Sequence, residues 1–381
     1  MYTGRMQPYA TDAALKEKWM TLVDTNPDTW LKDVDPWFLS GESPSPTGKT
    51  EYIVKPAKIS KFNSINAVGD FTVQVVGGQP GNSVYIYGPK DSVDSIVVEV
   101  FKNSLNIHQT NASASLKDVV VRVGVHQLRN LTNSGNGLIL GRTIISKQLT
   151  VNASGTGSIY LGGKMNLKEV TQTGSGTITL IGAESPALNV LVKGNGNVNI
   201  SGKVGIENIV HDGDGCLSII GADSDGVCIT TAGNGVTSIF GYMNLREVVA
   251  RDSSRLFVLW VYSKHVNVRA TDQAVVGLAG TAAKMNIELD DNACFQGEYM
   301  RSCVLYIKTQ DDARANVAAD LKIYATTGDS SYIYYFGSPN ILTSFNSLRS
   351  TIIPLGNYLT PTLRPPTGVF QPPSFCATCE S

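Results

Sequence analysis

One feature constrains this sequence more than any other: a Gly-x-Gly pair recurs along its middle with a nearly constant step. The first glycines of these pairs are Gly135, Gly155, Gly174, Gly194, Gly213 and Gly233, so the step alternates between 20 and 19. Beyond them the period continues with aspartate in place of glycine, at Asp252, Asp272, Asp291 and Asp311. Repeats of this length are typical of solenoids, in which each repeat packs only on its neighbours.

An apolar column accompanies the turns. Four residues before each turn position lies one aliphatic residue, which gives the series Leu131, Val151, Val170, Val190, Ile209, Ile229, Val248, Val268, Ile287 and Ile307. Further apolar residues follow the turns at a spacing of two, as at Ile178 and Leu180. A period of two indicates β-strands, and the repeat is too short for a strand plus a full helix. The sequence therefore predicts an all-β solenoid, or β-helix, with two or three short strands in each rung of ~19–20 residues.

The glycine pairs are interpreted as corners of this solenoid. In "VTQTGSGTITLIG", residues 170–182, Gly174 and Gly176 resemble part of a nucleotide loop. Such a loop opens a helix, whereas a β-branched alternation follows here. The six first glycines are therefore predicted to be structural turns, because a corner that needs a positive φ accepts glycine easily and aspartate tolerably.

Three regions differ in composition. Residues 1–50 form an arm, in which "DAALKEKWMTLV" can form an amphipathic helix and which holds Trp19, Trp30 and Trp37. Residues 51–353 form the β region, and residues 354–381 form a proline-rich tail that favours extended backbone. We expect the tryptophans to dock a partner protein or to cover the first rung, since aromatic anchors are enriched at interface centres and solenoid ends need caps.

Charge and hydropathy exclude several partners. The formal net charge is −1 with 17% charged residues, so no basic excess favours nucleic acid or an anionic membrane. No apolar run approaches the length of a membrane-spanning helix, so no such helix is predicted, and residues 1–30 lack the pattern of a secretion signal. No cofactor is expected.

The acidic residues offer the candidate catalytic and metal sites. His211, Asp212 and Asp214 are the best local set for an acid–base site on a sugar, followed by Asp223 and Asp225. A carboxylate edge could also form where four aspartates recur one rung apart, at Asp290, Asp291, Asp311 and Asp312. We interpret these aspartates as turn residues, because aspartate stabilises turns through its own backbone.

Six cysteines give no clear site. Cys376 and Cys379 form a lone CxxC in the tail, which lacks the second pair of a zinc site. Cys216 and Cys294 are separated by four repeat lengths, so we expect them in equivalent positions four rungs apart, beyond the reach of a disulfide. Core thiols are favoured over bridges for these two and for Cys228 and Cys303.

Residues 58–107 resemble the opening of a known family. A Phe-x-x-Ile start (Phe62, Ile65) leads into a Gly-x-Phe-x-Val strand at residues 69–73 and a Leu-x-Ile strand at residues 105–107. This order is similar to that of the "putative auto-transporter adhesin, head GIN domain" family, and Tyr335, Gly337 and Pro339 resemble its closing strand. The resemblance covers about residues 58–353. It implies a β-helical domain of bacterial envelope proteins without established catalysis.

The functional hypothesis joins these observations. We expect the protein to be a non-catalytic scaffold of the bacterial cell envelope, in the periplasm or at the outer membrane. The arm and the tail would dock it to other envelope proteins, such as a multi-subunit envelope or secretion assembly. Two alternatives stay open: an adhesin-like surface domain that binds glycan or a host surface, and a polysaccharide-active β-helix enzyme. A row of exposed aromatics would favour the first alternative, and an acid pair clustered with a base would favour the second.

Overall fold

A computed structural model describes residues 52–110, 116–345 and 349–357. Over these ranges the chain is an all-β solenoid of parallel rungs, with one short helix, α1 (Lys90–Val93). The predicted fold class is therefore confirmed. The N-terminal arm and its three tryptophans lie outside the described residues, as do Cys376, Cys379 and the rest of the tail beyond residue 357.

The strands fall into three groups. Those that precede the regular rungs are short: β1 (Tyr52–Pro56), β2 (Ser64–Val68), β3 (Thr72–Val76), β4 (Ser83–Pro89), β5 (Ile96–Phe101), β6 (Ser104–Gln109), β7 (Val120–Gly124) and β8 (Asn130–Asn133). One long strand then forms most of each rung: β9 (Ile139–Ala153), β10 (Ile159–Gln172), β11 (Thr177–Val192), β12 (Asn197–Asp212), β13 (Cys216–Ala232), β14 (Val236–Ala250), β15 (Arg255–Ala270), β16 (Val275–Leu289), β17 (Cys294–Thr309) and β18 (Arg314–Thr327). The chain closes with β19 (Tyr332–Phe336), β20 (Asn340–Phe345) and β21 (Thr351–Pro354).

Each long strand is bent rather than broken. In β11, residues 177–181, 183–185 and 189–192 pair with β12 in three straight runs, and register shifts separate the runs. The sequence predicted two or three short strands per rung. Hydrogen bonding instead continues through the bends, so that a rung is one strand of 14 to 17 residues, as in β10 and β13.

The predicted apolar column forms the interior. Val170 pairs with Val190, Val190 with Ile209 and Ile209 with Ile229, and each of the four is at most 2% exposed. The same register runs from Leu131 through to Ile307. Because full burial of a Val or Ile side chain contributes about 1.5–3 kcal/mol, this column is a main source of the solenoid's stability.

The glycine corners lie between the long strands, but the expected reason for glycine is wrong at five of them. Only Gly233 of the six has a positive φ, at 77°. At Gly174 a Cβ atom would instead collide with the carbonyl oxygen of Gly155 in the preceding rung, and the other four corners without a positive φ are similarly tight. Glycine is needed there because backbone stacks directly on backbone.

Positive φ occurs at a second, inner bend that was not predicted from the sequence. One residue per rung takes this conformation, with φ between 49° and 151°: Thr143, Gly163, Gly182, Gly202, Gly221, Gly241, Trp260 and Gly280. Six of the eight are glycine, and their step equals that of the corners. This second glycine period was visible in the sequence and marks where the strand turns without losing its pairing.

The first rungs do not follow chain order. β2 lies between β6 and β8, and β3 lies between β7 and β9, so β2 and β3 form a rung between that of β6 and β7 and that of β8 and β9. Antiparallel strands cover the outer edge: β5 pairs with β6, β4 with β7, and β1 with β4. This cover protects a parallel edge that could otherwise template pairing with another chain.

The opposite end continues the parallel pattern. β18 pairs with both β19 and β20, and β21 pairs with β19. Tyr335 lies near the end of β19 and Gly337 directly follows that strand. The Gly337 N–H donates to the Gly356 carbonyl oxygen at 2.8 Å, which ties the two final segments together.

Candidate functional site

The structure separates the residues of the candidate acid–base site. His211 faces the interior at 1% exposure, whereas Asp212 is exposed because successive residues of a strand point to opposite sides, and Asp214 is exposed in the corner that follows β12. The His211 Nδ1 lies 2.7 Å from the Thr237 hydroxyl, and its buried Nε2 has no partner among the described residues. Burial lowers the pKa of His211, against the opposing effect of the two nearby aspartates. A neutral interior imidazole cannot act on a substrate at the surface.

Two of the neighbouring acidic residues have structural partners. Asp214 accepts hydrogen bonds from the backbone N–H and the side-chain amide of Asn234, one rung away. Asp223 pairs with Lys203 at 3.5 Å, and both side chains are at least half exposed. These contacts are those of solvated corners and edges, and they do not assemble a catalytic pair.

The predicted carboxylate edge is a ladder of single aspartates. The N–H of each corner residue donates to the carboxylate of the next rung: Gly233 to Asp252, Asp252 to Asp272, Asp272 to Asp291, Asp291 to Asp311, and Asp311 to Asp329, at 2.9 to 3.4 Å. The Thr271 hydroxyl and the Asp252 N–H hold the pKa of Asp272 below the ordinary 3.8. In the part of the chain that the structure describes, no three His, Cys, Asp or Glu residues are grouped to hold a metal ion.

None of the four described cysteines, Cys216, Cys228, Cys294 and Cys303, forms a disulfide. Cys216 and Cys294 occupy one outward column, separated by Val236, Arg255 and Val275, as expected from their spacing. The Cys228 sulfur accepts a hydrogen bond from the Arg246 guanidinium at 3.1 Å. Burial raises the pKa of the Cys294 thiol.

An outward aromatic column is a surface feature that was not located from the sequence. Tyr306 of β17 and Tyr324 of β18 are register partners, with ring centroids 4.6 Å apart and planes 9° from parallel. The Lys284 ammonium lies 4.5 Å from the centre of the Tyr306 ring. Leu342 of β20 continues the column at 54% exposure. In the sequence, this column is marked by an aromatic residue directly beside a buried aliphatic residue. The same pair recurs one rung later.

The column borders an open groove of about 540 Å³, which we name the tyrosine groove. Its other lining residues include one amide, two charged groups and two hydroxyls: Asn286, Glu288, Lys308, Thr326 and Thr343. It crosses β16, β17, β18 and β20, and therefore runs along the solenoid axis. A second stacked pair, Tyr242 and Tyr262, lies elsewhere on the surface with ring centroids 5.3 Å apart.

None of the helices in the described ranges is long and apolar enough to cross a membrane. Trp19, Trp30 and Trp37, the predicted partner-binding residues, lie in the part of the chain outside the structural description.

Comparison with known proteins confirms the resemblance found in the sequence. Residues 61–246 match the family described as "Putative auto-transporter adhesin, head GIN domain". The match ends before Tyr335, Gly337 and Pro339, while the same rungs continue beyond it to β19. No curated protein sequence matches the chain.

Three similar solved structures come from the genera Bacteroides and Parabacteroides. A putative adhesin of Bacteroides fragilis is 15% identical, with 82% of this chain and 98% of that chain covered and a TM-score of 0.24. A putative lipid binding protein of Parabacteroides distasonis is 13% identical, with coverages of 80% and 96% and a TM-score of 0.26. A putative adhesin of Parabacteroides merdae is 11% identical, with coverages of 81% and 98% and a TM-score of 0.23.

Proposed function

Because residues 61–246 belong to the head GIN domain family, we propose that this chain is a non-catalytic interaction protein of the bacterial cell envelope. One observation carries the proposal: the solenoid has a continuous apolar interior, and its candidate base, His211, is enclosed in it. On the outside of such a solenoid, the residues of successive rungs form continuous columns on which a partner can lie. The family description supports an envelope or surface location.

The arm, residues 1–50, is the proposed docking element for other envelope proteins, with the proline-rich tail as a second. Tryptophan is costly to leave in water and supplies much of the energy at interface centres. The alternative role of the arm is to cap the first rung. β5, β4 and β1 already cover that edge, and this arrangement favours docking over capping. A multi-subunit envelope or secretion assembly is the kind of partner this arrangement suits.

Deletion of residues 1–32 tests the docking role. The full chain and the truncated chain are expressed in the native host, and envelope fractions are isolated with each as bait. Deletion of residues 358–381, which removes most of the second proposed docking element, is measured in parallel. We expect lost recovery of partners with an unchanged melting temperature. Full recovery of partners, or a collapsed melt, would contradict docking by the arm.

A second candidate function is adhesin-like glycan binding through a solenoid face. The stacked exposed pair Tyr306 and Tyr324 favours it, because an outward aromatic row is the feature expected of a glycan binder. The polysaccharide-active enzyme has no comparable support, since His211 is buried and the carboxylates beside it are exposed.

A further inference from the structure

We propose that the tyrosine groove binds a linear, uncharged oligosaccharide that lies parallel to the solenoid axis. This inference rests on the second candidate function and names its site and ligand class. The groove is a place in the described chain where exposed aromatic, amide and hydroxyl groups meet along one line.

The two tyrosines form a rigid contact surface before any ligand arrives. Their rings are held in a stack by the rung spacing, and the Lys284 ammonium packs against Tyr306. Tyrosine offers a large amphipathic surface with only two side-chain torsions, so little conformational entropy is lost on binding. Neither hydroxyl has a hydrogen-bond partner among the described residues, so both can donate to and accept from a ligand.

Polar groups flank the stack along its length. The Asn286 amide nitrogen donates to the Asn267 side-chain oxygen at 2.8 Å, which leaves the Asn286 oxygen available as an acceptor. Thr326 and Thr343 contribute hydroxyls on the following rungs. A ligand rich in hydroxyl groups can therefore find donors and acceptors at every rung that it crosses.

The charges in and beside the groove offset one another and do not select a charged polymer. Glu288 pairs with Arg269 at 2.9 Å, and Lys284 is engaged with Tyr306. Lys308 is therefore the lining cation without an ion pair in the described chain. The aspartate ladder lies only three residues beyond Glu288 and Lys308, at Asp291 and Asp311. An acidic glycan in the groove would be attracted by Lys308 and repelled by these carboxylates, whereas a neutral one would experience neither force.

The spacing favours a linear polymer. Rungs of a parallel sheet are separated by about 4.8 Å, and the groove crosses four of them, which gives a length on the order of 15 Å. Each sugar of a linear hexose chain advances by about the separation between two rungs. One sugar unit can thus face each rung, which suits a segment of three or four units.

Affinity electrophoresis of the full chain tests the site. Native gels contain, in turn, soluble neutral polysaccharides (glucomannan, β-glucan, arabinoxylan, dextran) and two acidic ones (alginate, polygalacturonate). We expect at least one neutral polymer to retard the protein. Tyr324→Ala should then weaken binding at least tenfold in a titration with the matching hexasaccharide. Tyr85→Ala is the control, because Tyr85 is 46% exposed on β4 at the other end of the solenoid.

A second variant keeps the site testable if Tyr324→Ala misfolds. Thr343→Trp fills the groove from an exposed position without removing a tyrosine, and it should abolish retardation while the melting temperature holds. Retardation by none of the neutral polymers, retardation by the acidic ones alone, or equal binding by both groove variants and the wild type would overturn the proposal. Recovery of Tyr324→Ala from the envelope fraction is measured in parallel, so that failure of the groove is distinguished from failure of the envelope role.

Discussion

The corners of the solenoid are built in two ways, and the change occurs near Gly233. From Gly135 to Gly213 the corners are open bends in which glycine backbones stack in contact. From Asp252 to Asp329 they hold aspartate with φ between 52° and 60°. Gly233 belongs to both groups, since it has a positive φ and donates its N–H to the Asp252 carboxylate at 2.9 Å.

The two kinds of corner differ in where their side-chain hydrogen bonds come from, the interior or the outside of the solenoid. Beneath some glycine corners lies a long buried polar side chain: the Gln172 amide donates to the Gly176 carbonyl at 2.6 Å and accepts from the Gly174 N–H at 3.0 Å. At the Asp272 and Asp291 corners the residues two places further on, Ala274 and Ala293, are small and buried, and the extra hydrogen bonds come from carboxylates outside. One repeat length therefore accommodates two chemistries, because the backbone ladder through the corner is common to both.

The largest expected effect comes from adding a side chain to a glycine corner. Gly174→Val should destabilise the fold by about 3 kcal/mol, because its Cβ would collide with the carbonyl of Gly155 and the rungs would have to separate. Equilibrium denaturation measures the effect. Gly81→Val is the control, since nothing lies within 4 Å of a Cβ there. Equal stability of Gly174→Val and wild type would show that glycine corners are not in contact.

A smaller effect is expected at an aspartate corner. Asp291→Ala loses the bond from the Asp272 N–H and places alanine at a φ of 59°, so we expect a loss of about 1–2 kcal/mol by denaturation. Asp291→Asn keeps an acceptor and tolerates this φ, and it should stay within about 0.5 kcal/mol of wild type. A larger loss for Asn than for Ala would refute the carboxylate ladder.

A still smaller effect is expected from pH in the glycine-cornered half. Because burial lowers the pKa of His211 below the ordinary 6.5, the unfolded chain binds the proton more tightly. The free energy of unfolding should therefore fall as pH drops below about 6.5, by at most about 1.4 kcal/mol per pH unit from this group. His211→Gln, which reproduces the Gln172 side chain of the same column, should remove this dependence. An unchanged pH profile in this variant would contradict the assignment.

The interior was predictable from sequence because every rung must bury the same face. The spacing of Val170, Val190, Ile209 and Ile229 specified both their contact and their burial. The corner chemistry was less predictable, since glycine serves a positive φ at Gly182 and close stacking at Gly174, and sequence does not distinguish these uses. Trp260 takes a φ of 66° in a glycine column, and no local preference predicts it.

The ends and the outer surface were predicted least well. The insertion of residues 64–76 between two later segments depends on pairing at long range, which a repeat period does not encode. The tyrosine groove was missed because Tyr306 and Tyr324 lie outward, where no burial requirement makes a pattern regular. His211, Asp212 and Asp214 were the best local acid–base candidates because they are close in sequence, but His211 is buried and both aspartates are exposed.

Amide hydrogen exchange at single corners tests the central claim most directly. In Asp291→Gly the positive φ remains possible, and only the acceptor of the Asp272 N–H is removed. We expect the Asp272 amide to exchange on the order of tenfold faster, while the Asn292 amide, bonded to the Asp272 carbonyl, and the Gly196 amide in the glycine-cornered half stay protected. Unchanged exchange at Asp272, or equal acceleration at all three amides, would contradict the two-chemistry account of the corners.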